Sequence, residues 1–430
     1  MADECPVSVS VDDVQEEAPQ RRSLKHDTVW SVLATGTRTV GAVGIFWMLA
    51  RYLGKEQFGL YAGALALFLL VGAFVTLGTS HIVVKRVSVD RSLAQDSWGA
   101  ALLPGVVLSV VVASALALLG NLAVPGLDGR AIFLLGLAEF LGVAVSVPAS
   151  QALQALDRFP QSAFLTILWT VLRFVFVALA FFAFDMQTPT GVGIALLSAS
   201  VAAGLVSSLA LARVVGVPHF SIPASVQIIR EGFPFSLTQA SGLILGDIDK
   251  QMLVRRPVDG AALNGIYSAS NRVLGLLATP VYAVLAATYP RFFAKGDADG
   301  LRGTWGYSKR LMLPITAYAI VASAGLFIAA PLVDDILGAD YTEAIETIRW
   351  MAVIPVIHLP ALLAGEAITG AGLQNTRNRF ILAAGVLNIV LNLALIGPYG
   401  ISGVIVATYA AETFLLAGLC IWIRQNLAER

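Results

Sequence analysis

GFPFSLTQASGLILGDIDKQMLVRR, residues 232–256, is the stretch on which the reading of this chain turns. Its first fifteen residues are uncharged; Asp247, Asp249 and Lys250 then follow within four positions, before the pair Arg255–Arg256. As a surface turn the stretch needs no explanation. As a membrane crossing it places three ionisable groups in hydrocarbon, where each one facing lipid costs at least ~2.5–3.5 kcal/mol. Composition decides in favour of a crossing. Of 430 residues 57% are hydrophobic and 13% charged, whereas a soluble domain carries about 25% charged residues. Long apolar runs recur along the chain, each near the ~20 residues that a helix needs to cross hydrocarbon. A β-barrel needs alternating segments of ~10 residues, and none recur.

Twelve spans are expected, at about 29–50, 58–84, 97–120, 131–153, 162–184, 191–213, 233–254, 263–287, 310–331, 348–368, 379–397 and 401–423. Lys and Arg collect on the cytoplasmic side of a membrane protein. With both termini inside, 18 of the 28 Lys and Arg residues fall on inner segments, 6 on outer ones and 4 within spans. A threefold bias that survives all twelve spans supports both the count and the orientation. The expected fold is therefore an all-α polytopic membrane protein with cytoplasmic N- and C-termini, placed in the plasma membrane. Residues 1–25 are polar and acidic and lack the apolar core of a signal peptide, so a disordered cytoplasmic tail is expected there.

The two halves echo each other. FGLYAGALAL (58–67) opens span 2 and NGIYSASNRV (264–273) opens span 8, which matches Gly59 and Tyr61 to Gly265 and Tyr267. Six spans per half keep both halves in one orientation, related by an axis along the membrane normal. The expected domains are a first lobe over 26–213, an amphipathic linker helix over 214–232 and a second lobe over 233–430.

Charges inside spans survive where they face protein or water. Asp247 and Lys250 are i,i+3 neighbours on a helix and can pair. Ser236, Gln239 and Ala240 continue roughly their stripe. Asp249 points ~160° away from Asp247 at ~3.6 residues per turn, toward a neighbouring helix. Arg272, at matching depth in span 8, is the expected partner of Asp247 or Asp249. Arg38, Glu139 and Arg173 lie within spans 1, 4 and 5; His358, Asn388, Asn392 and Glu412 lie within spans 10, 11 and 12. Asn388 and Asn392, one turn apart, read as structural polar residues. Arg38, Arg173, Lys250 and Arg272 are the candidate cations of a hydrated central cavity; Asp247, Asp249, Glu139 and Glu412 are candidates for ion pairing or for coupling to H⁺ or Na⁺. Pro148, Pro355 and Pro360 mark spans 4 and 10 as places where a helix can bend. Glu366 and His81, near inner ends, read as interfacial.

Several functions find no support. No GxxxxGK[ST] phosphate loop occurs, no HExxH or Ser/His/Asp set is evident, and two cysteines, Cys5 and Cys420, give neither a disulfide framework nor a metal cluster. Outer loops of about 20 residues or fewer leave little room for a catalytic domain. No metal, cofactor or nucleic-acid partner is expected, nor enzymatic activity.

ARYLGKEQFGLYA (50–62) resembles the signature after the first span of the prokaryotic polysaccharide exporters, the Wzx-type lipid-linked oligosaccharide flippases of the MOP superfamily. Residues 232–273 are similar to their middle signature, through Gly232, Pro234, Asp249, Lys250, Gly265, Tyr267, Ser268 and Ala269. ILGADYTEA (336–344) and LNIVLNLALIGPYGISGVIVAT (387–408) extend the likeness over nearly the whole chain after residue 25. Lys250 stands where the family usually has arginine. The resemblance implies two six-helix lobes, MATE-like, in a V around a hydrophilic cavity. It implies turning a polyprenyl-linked glycan to the outer leaflet without ATP, by a monomer working among membrane lipids beside glycosyltransferases or a glycan polymerase. The alternative is a cation-coupled multidrug or small-molecule exporter of the same superfamily, which favours an acidic cavity with a carboxylate in the first lobe.

Overall fold

The computed structural model of the protein describes residues 24–428; side chains at 24–29, 31, 32, 34, 237–246, 286 and 428 lie outside the described residues. The tail expected over 1–25 falls outside them except for its last two positions, and so do the side chains of Gln239 and Ala240. Thirteen α-helices follow one another, with no strand among the described residues. They are α1 (Leu24–Thr76), α2 (Thr79–Val89), α3 (Ala94–Leu119), α4 (Gly129–Ala155), α5 (Phe159–Phe182), α6 (Pro189–Val215), α7 (Ile222–Val254), α8 (Gly260–Ala329), α9 (Leu332–Leu337), α10 (Thr342–Met351), α11 (Ile354–Gly370), α12 (Gln374–Tyr399) and α13 (Ile401–Ala428). Among the described residues eight helices are long and apolar enough to cross a membrane, or nine with the bent pair α10–α11 taken as one span. α1 and α8 are each broken inside, at Gly54 (φ 72°) and Gly300 (φ 56°), a backbone region that glycine enters without steric cost. Dividing them there, counting α10–α11 as one and setting aside the short α2 and α9, leaves twelve helical segments in the order of the twelve expected spans. The chain is an all-α polytopic membrane protein.

Four expectations change. Span 2 does not run to residue 84: α1 ends at Thr76, Leu77 and Gly78 are both left-handed (φ 50° and 64°), and α2 starts afresh at Thr79. The linker over 214–232 is not a helix of its own. Ser221 caps α7 through the Ala224 amide (3.4 Å), Pro223 fits the first turn, and the helix continues unbroken into span 7. Span 10 is two helices bent by 48°, with Pro355 at the start of the second. Pro148 and Pro360, by contrast, sit inside continuous helices. Residues 288–309, read as an inner loop, are helical on both sides of Gly300.

Named by the orientation that the charge bias predicts, the outer end holds one apolar cluster drawn from both halves. Leu49, Phe58, Tyr61 and Ile132 meet Val254, Ile266, Val333 and Tyr341 there. At the inner end each half keeps a separate cluster: Ile82, Trp98, Leu153 and Leu211, joined by Ile228 of α7, on one side, and Leu285, Phe292, Trp305 and Leu363 on the other. The halves are thus sealed together at the outer end; at the inner end their clusters are separate, and the second half touches the first through α7, where Gly232 packs on Gly78 and Phe235 stacks on His81.

The seal is made by small residues. In lipid, helices associate by close packing rather than by a hydrophobic drive, and glycine permits the closest approach. A methyl group added at Gly59 would sit 1.7 Å from the Ala261 carbonyl oxygen, and one at Gly265 would sit 1.9 Å from that of Lys55. The two glycines matched in the sequence repeat therefore pack helix against helix across the interface of the halves. Asn264 adds a hydrogen bond to the Gly59 carbonyl (2.7 Å), and Gln251 donates to that of Gly63. Around this contact the two arms of α1 reach α9 and α10 from either side of Gly54. Trp47 donates to the Ile336 carbonyl (2.9 Å), Arg51 to those of Asp335 and Ile336 (both 3.2 Å), and Lys55 pairs with Glu343 (3.1 Å).

Candidate substrate cavity

A cavity of about 630 Å³ lies below the seal, lined by α1, α4, α5, α7 and α8. That is within the range of small-ligand sites. Its charged lining is Arg38, Arg173, Asp247, Lys250 and Arg272: four cations and one carboxylate. Counting charges along the sequence leaves the sign of such a cavity undecided, because the acids Asp249, Glu139 and Glu412 are mixed in with the cations. In the structure those three do not reach the wall, and the lining is cationic.

Each charge has a separate setting. Arg173 of α5 grips Glu139 of α4 through both carboxylate oxygens, with one bond at 3.0 Å, and both side chains are mostly buried. The planar guanidinium suits such a fork; it also lies over the Trp169 ring, 5.8 Å from its centroid. Lys250 pairs with Asp247 one turn away on α7. Asp249 is buried on another side of α7, where the Tyr267 hydroxyl donates to it. Arg38 and Arg272, one from each half, are exposed to the cavity and make no ion pair among the described residues.

The expected contact of Arg272 with Asp247 or Asp249 is therefore not made. Asp247 is occupied by Lys250, and Asp249 meets Tyr267, which is five residues before Arg272 and so ~140° around α8. The sequence signal for Tyr267 was present, since it is the repeat counterpart of Tyr61, which itself lines the cavity.

The remaining candidates lie elsewhere in the second half. Asn392 donates to Asn388 along α12 (2.9 Å), a bond within one helix rather than between helices. Glu412 of α13 pairs with His358 of α11 at 3.0 Å, and Tyr282 of α8 reaches the other ring nitrogen at 3.4 Å. Their sequence separations of 54 and 76 give no local period from which the grouping could be read. Glu366 is not free at an interface: it is mostly buried against Arg377 (3.1 Å). No group of three or more metal-ligating side chains occurs among the described residues.

The family model described as polysaccharide biosynthesis protein matches residues 24–295. The chain belongs to the polysaccharide biosynthesis protein family. One curated relative is an uncharacterized membrane protein of Methanocaldococcus jannaschii, 28% identical over 186 residues; the match spans 43% of this chain and 42% of that protein. Among solved structures, the inward-facing conformation of a multidrug resistance MATE family transporter of the MOP superfamily superposes with a TM-score of 0.74 at 15% identity, covering 91% of this chain and 95% of that one. An outward-facing conformation of a transporter so described gives 0.60 at 15% identity, covering 94% of each. The chain thus shares the fold of these structures. It matches the inward-facing arrangement better, as the joined outer cluster and parted inner clusters imply.

Proposed function

We propose that the protein flips a lipid-linked oligosaccharide, a glycan on a polyprenyl phosphate or pyrophosphate, from the cytoplasmic to the outer leaflet by alternating access without ATP hydrolysis. The observation that carries this reading is the pair Arg38 and Arg272, two cations from opposite halves that face the cavity without an acidic partner among the described residues. A bare phosphate in hydrocarbon is prohibitively costly, and two unpaired guanidinium groups offer it charge-assisted hydrogen bonds while the lipid chain stays in the bilayer. Arg173 and Lys250, each already paired, set the field around the anion and let it leave again. Asp247, on the cavity wall, is the carboxylate placed to take up a coupling H⁺ or Na⁺. The membrane is then the plasma membrane, and the partners are membrane lipids and the glycosyltransferases that build the glycan.

The alternative, a cation-coupled exporter of cationic small molecules, is disfavoured by the four cations in the lining. Arg38→Gln and Arg272→Gln separate the two readings. A hydrogen bond to a charged group contributes ~1.5–3 kcal/mol, so each variant should lower surface glycan about tenfold or more in a complemented export-deficient strain, at unchanged expression. Full surface glycan in both variants, or extrusion of cationic dyes by the wild type, would favour the exporter.

A further inference from the structure

A second cavity, of about 640 Å³, lies at the inner end of the second half and shares no residue with the first. It forms where the two arms of α8 meet at Gly300. Lys295, Arg302 and Arg310 line it together with Asp299, Tyr307 and Trp422. The three cations make no ion pair among the described residues, and Asp299 is the single carboxylate in the lining. The remaining wall includes apolar side chains, Leu301, Leu373 and Leu427. Arg310 and Trp422 are also at the inner edges of the expected spans 9 and 12. The cavity therefore straddles the level where headgroups meet hydrocarbon, a depth at which Trp and Tyr are favoured.

Lys and Arg are common at this end of any membrane protein, and scattered surface cations would need no ligand. Here three of them converge on one concave site with indole and phenol groups and an apolar floor. We infer that this cavity holds the phosphate headgroup of an anionic membrane lipid, with the cations on the phosphate and the apolar wall against the first part of the acyl chains. Basic pockets between membrane helices on the cytoplasmic side take such headgroups. The site is independent of the flipping cavity, and lipid bound there would brace the two arms of α8 at their break.

The test compares two triple variants of the full chain in detergent, by native mass spectrometry against phosphatidylglycerol, phosphatidylcholine and inorganic phosphate. One variant is Lys295→Gln/Arg302→Gln/Arg310→Gln. The other, Arg291→Gln/Lys309→Gln/Arg424→Gln, removes the same charge from the same end outside the cavity. The wild type and the second variant should retain phosphatidylglycerol in preference to phosphatidylcholine, and the first should lose it tenfold or more. Equal loss in both variants, or no loss in either, would overturn the inference by reducing binding to general surface charge or to none. Competition by inorganic phosphate as effective as the lipid's own binding would overturn the lipid assignment and leave a site for free phosphate. Folding of the first variant is checked by a monodisperse size-exclusion peak and by the same narrow, low charge-state distribution as the wild type; should it fail, Arg302→Gln alone must weaken phosphatidylglycerol binding where Lys309→Gln alone does not.

Discussion

Arg38 and Arg173 carry the same charge into the same cavity, yet they answer to different physics. Arg173 is mostly buried and forked onto Glu139, so its charge is neutralised within the protein. Removing one partner of such a pair leaves an uncompensated charge in low dielectric and costs ~3–5 kcal/mol. Glu139→Gln should therefore lower the thermal unfolding midpoint by several degrees in detergent. Arg38→Gln, at an exposed position without an ion-pair partner among the described residues, should leave stability within ~0.5 kcal/mol while reducing transport. Equal effects of the two variants on stability would contradict this division between a structural and a substrate-facing arginine. Residue by residue, the sequence revealed which groups are charged inside spans and, where partners are one turn apart, which ones pair. Asp247 and Lys250 could be matched that way. Glu139 and Arg173, 34 positions apart on different helices, could not, because helical periodicity carries no information about which faces of separate helices meet.

Helix breaks and close approaches govern the next scale. The second arm of α1 and the first arm of α8 touch through Gly59 and Gly265, with no room for a methyl group on either. Gly59→Leu should force these helices apart at the outer end and bias the molecule away from the inward-facing arrangement. Ile266, fully buried in the outer cluster, reports this: a cysteine there should react slowly with a membrane-impermeant maleimide in the Gly59 protein and rapidly beside Gly59→Leu. Unchanged labelling would mean that the glycine contact does not hold the seal. The repeat that aligned these glycines was visible in the sequence because packing tolerates no other residue there. The bend of span 10 was partly visible through Pro355. The restart at Thr79 and the fusion of the linker with α7 were not, since apolar composition persists across the left-handed Leu77–Gly78 turn, and Gly232 and Pro234, which read as a boundary, lie inside the continuous α7.

Across the whole molecule, one cluster of apolar residues ties the halves at the outer end, while two separate clusters, one of them taking in Ile228 of α7, lie at the inner end. Hydropathy and charge bias gave the spans and their expected orientation, but not which end is closed, because that depends on contacts between residues some 200 positions apart. For the proposed flipping to occur, the seal must open. The exposed Lys55–Glu343 pair crosses it at 3.1 Å, and as a surface pair it contributes only ~0–1 kcal/mol, so replacing it should not by itself impair transport. The direct test is flipping of a fluorescent polyprenyl-pyrophosphate sugar by the Lys55→Cys/Glu343→Cys protein in liposomes. Joining the two cysteines with a short reducible bis-methanethiosulfonate linker should stop flipping, and reduction should restore it; flipping that continues with the seal covalently closed would contradict the account.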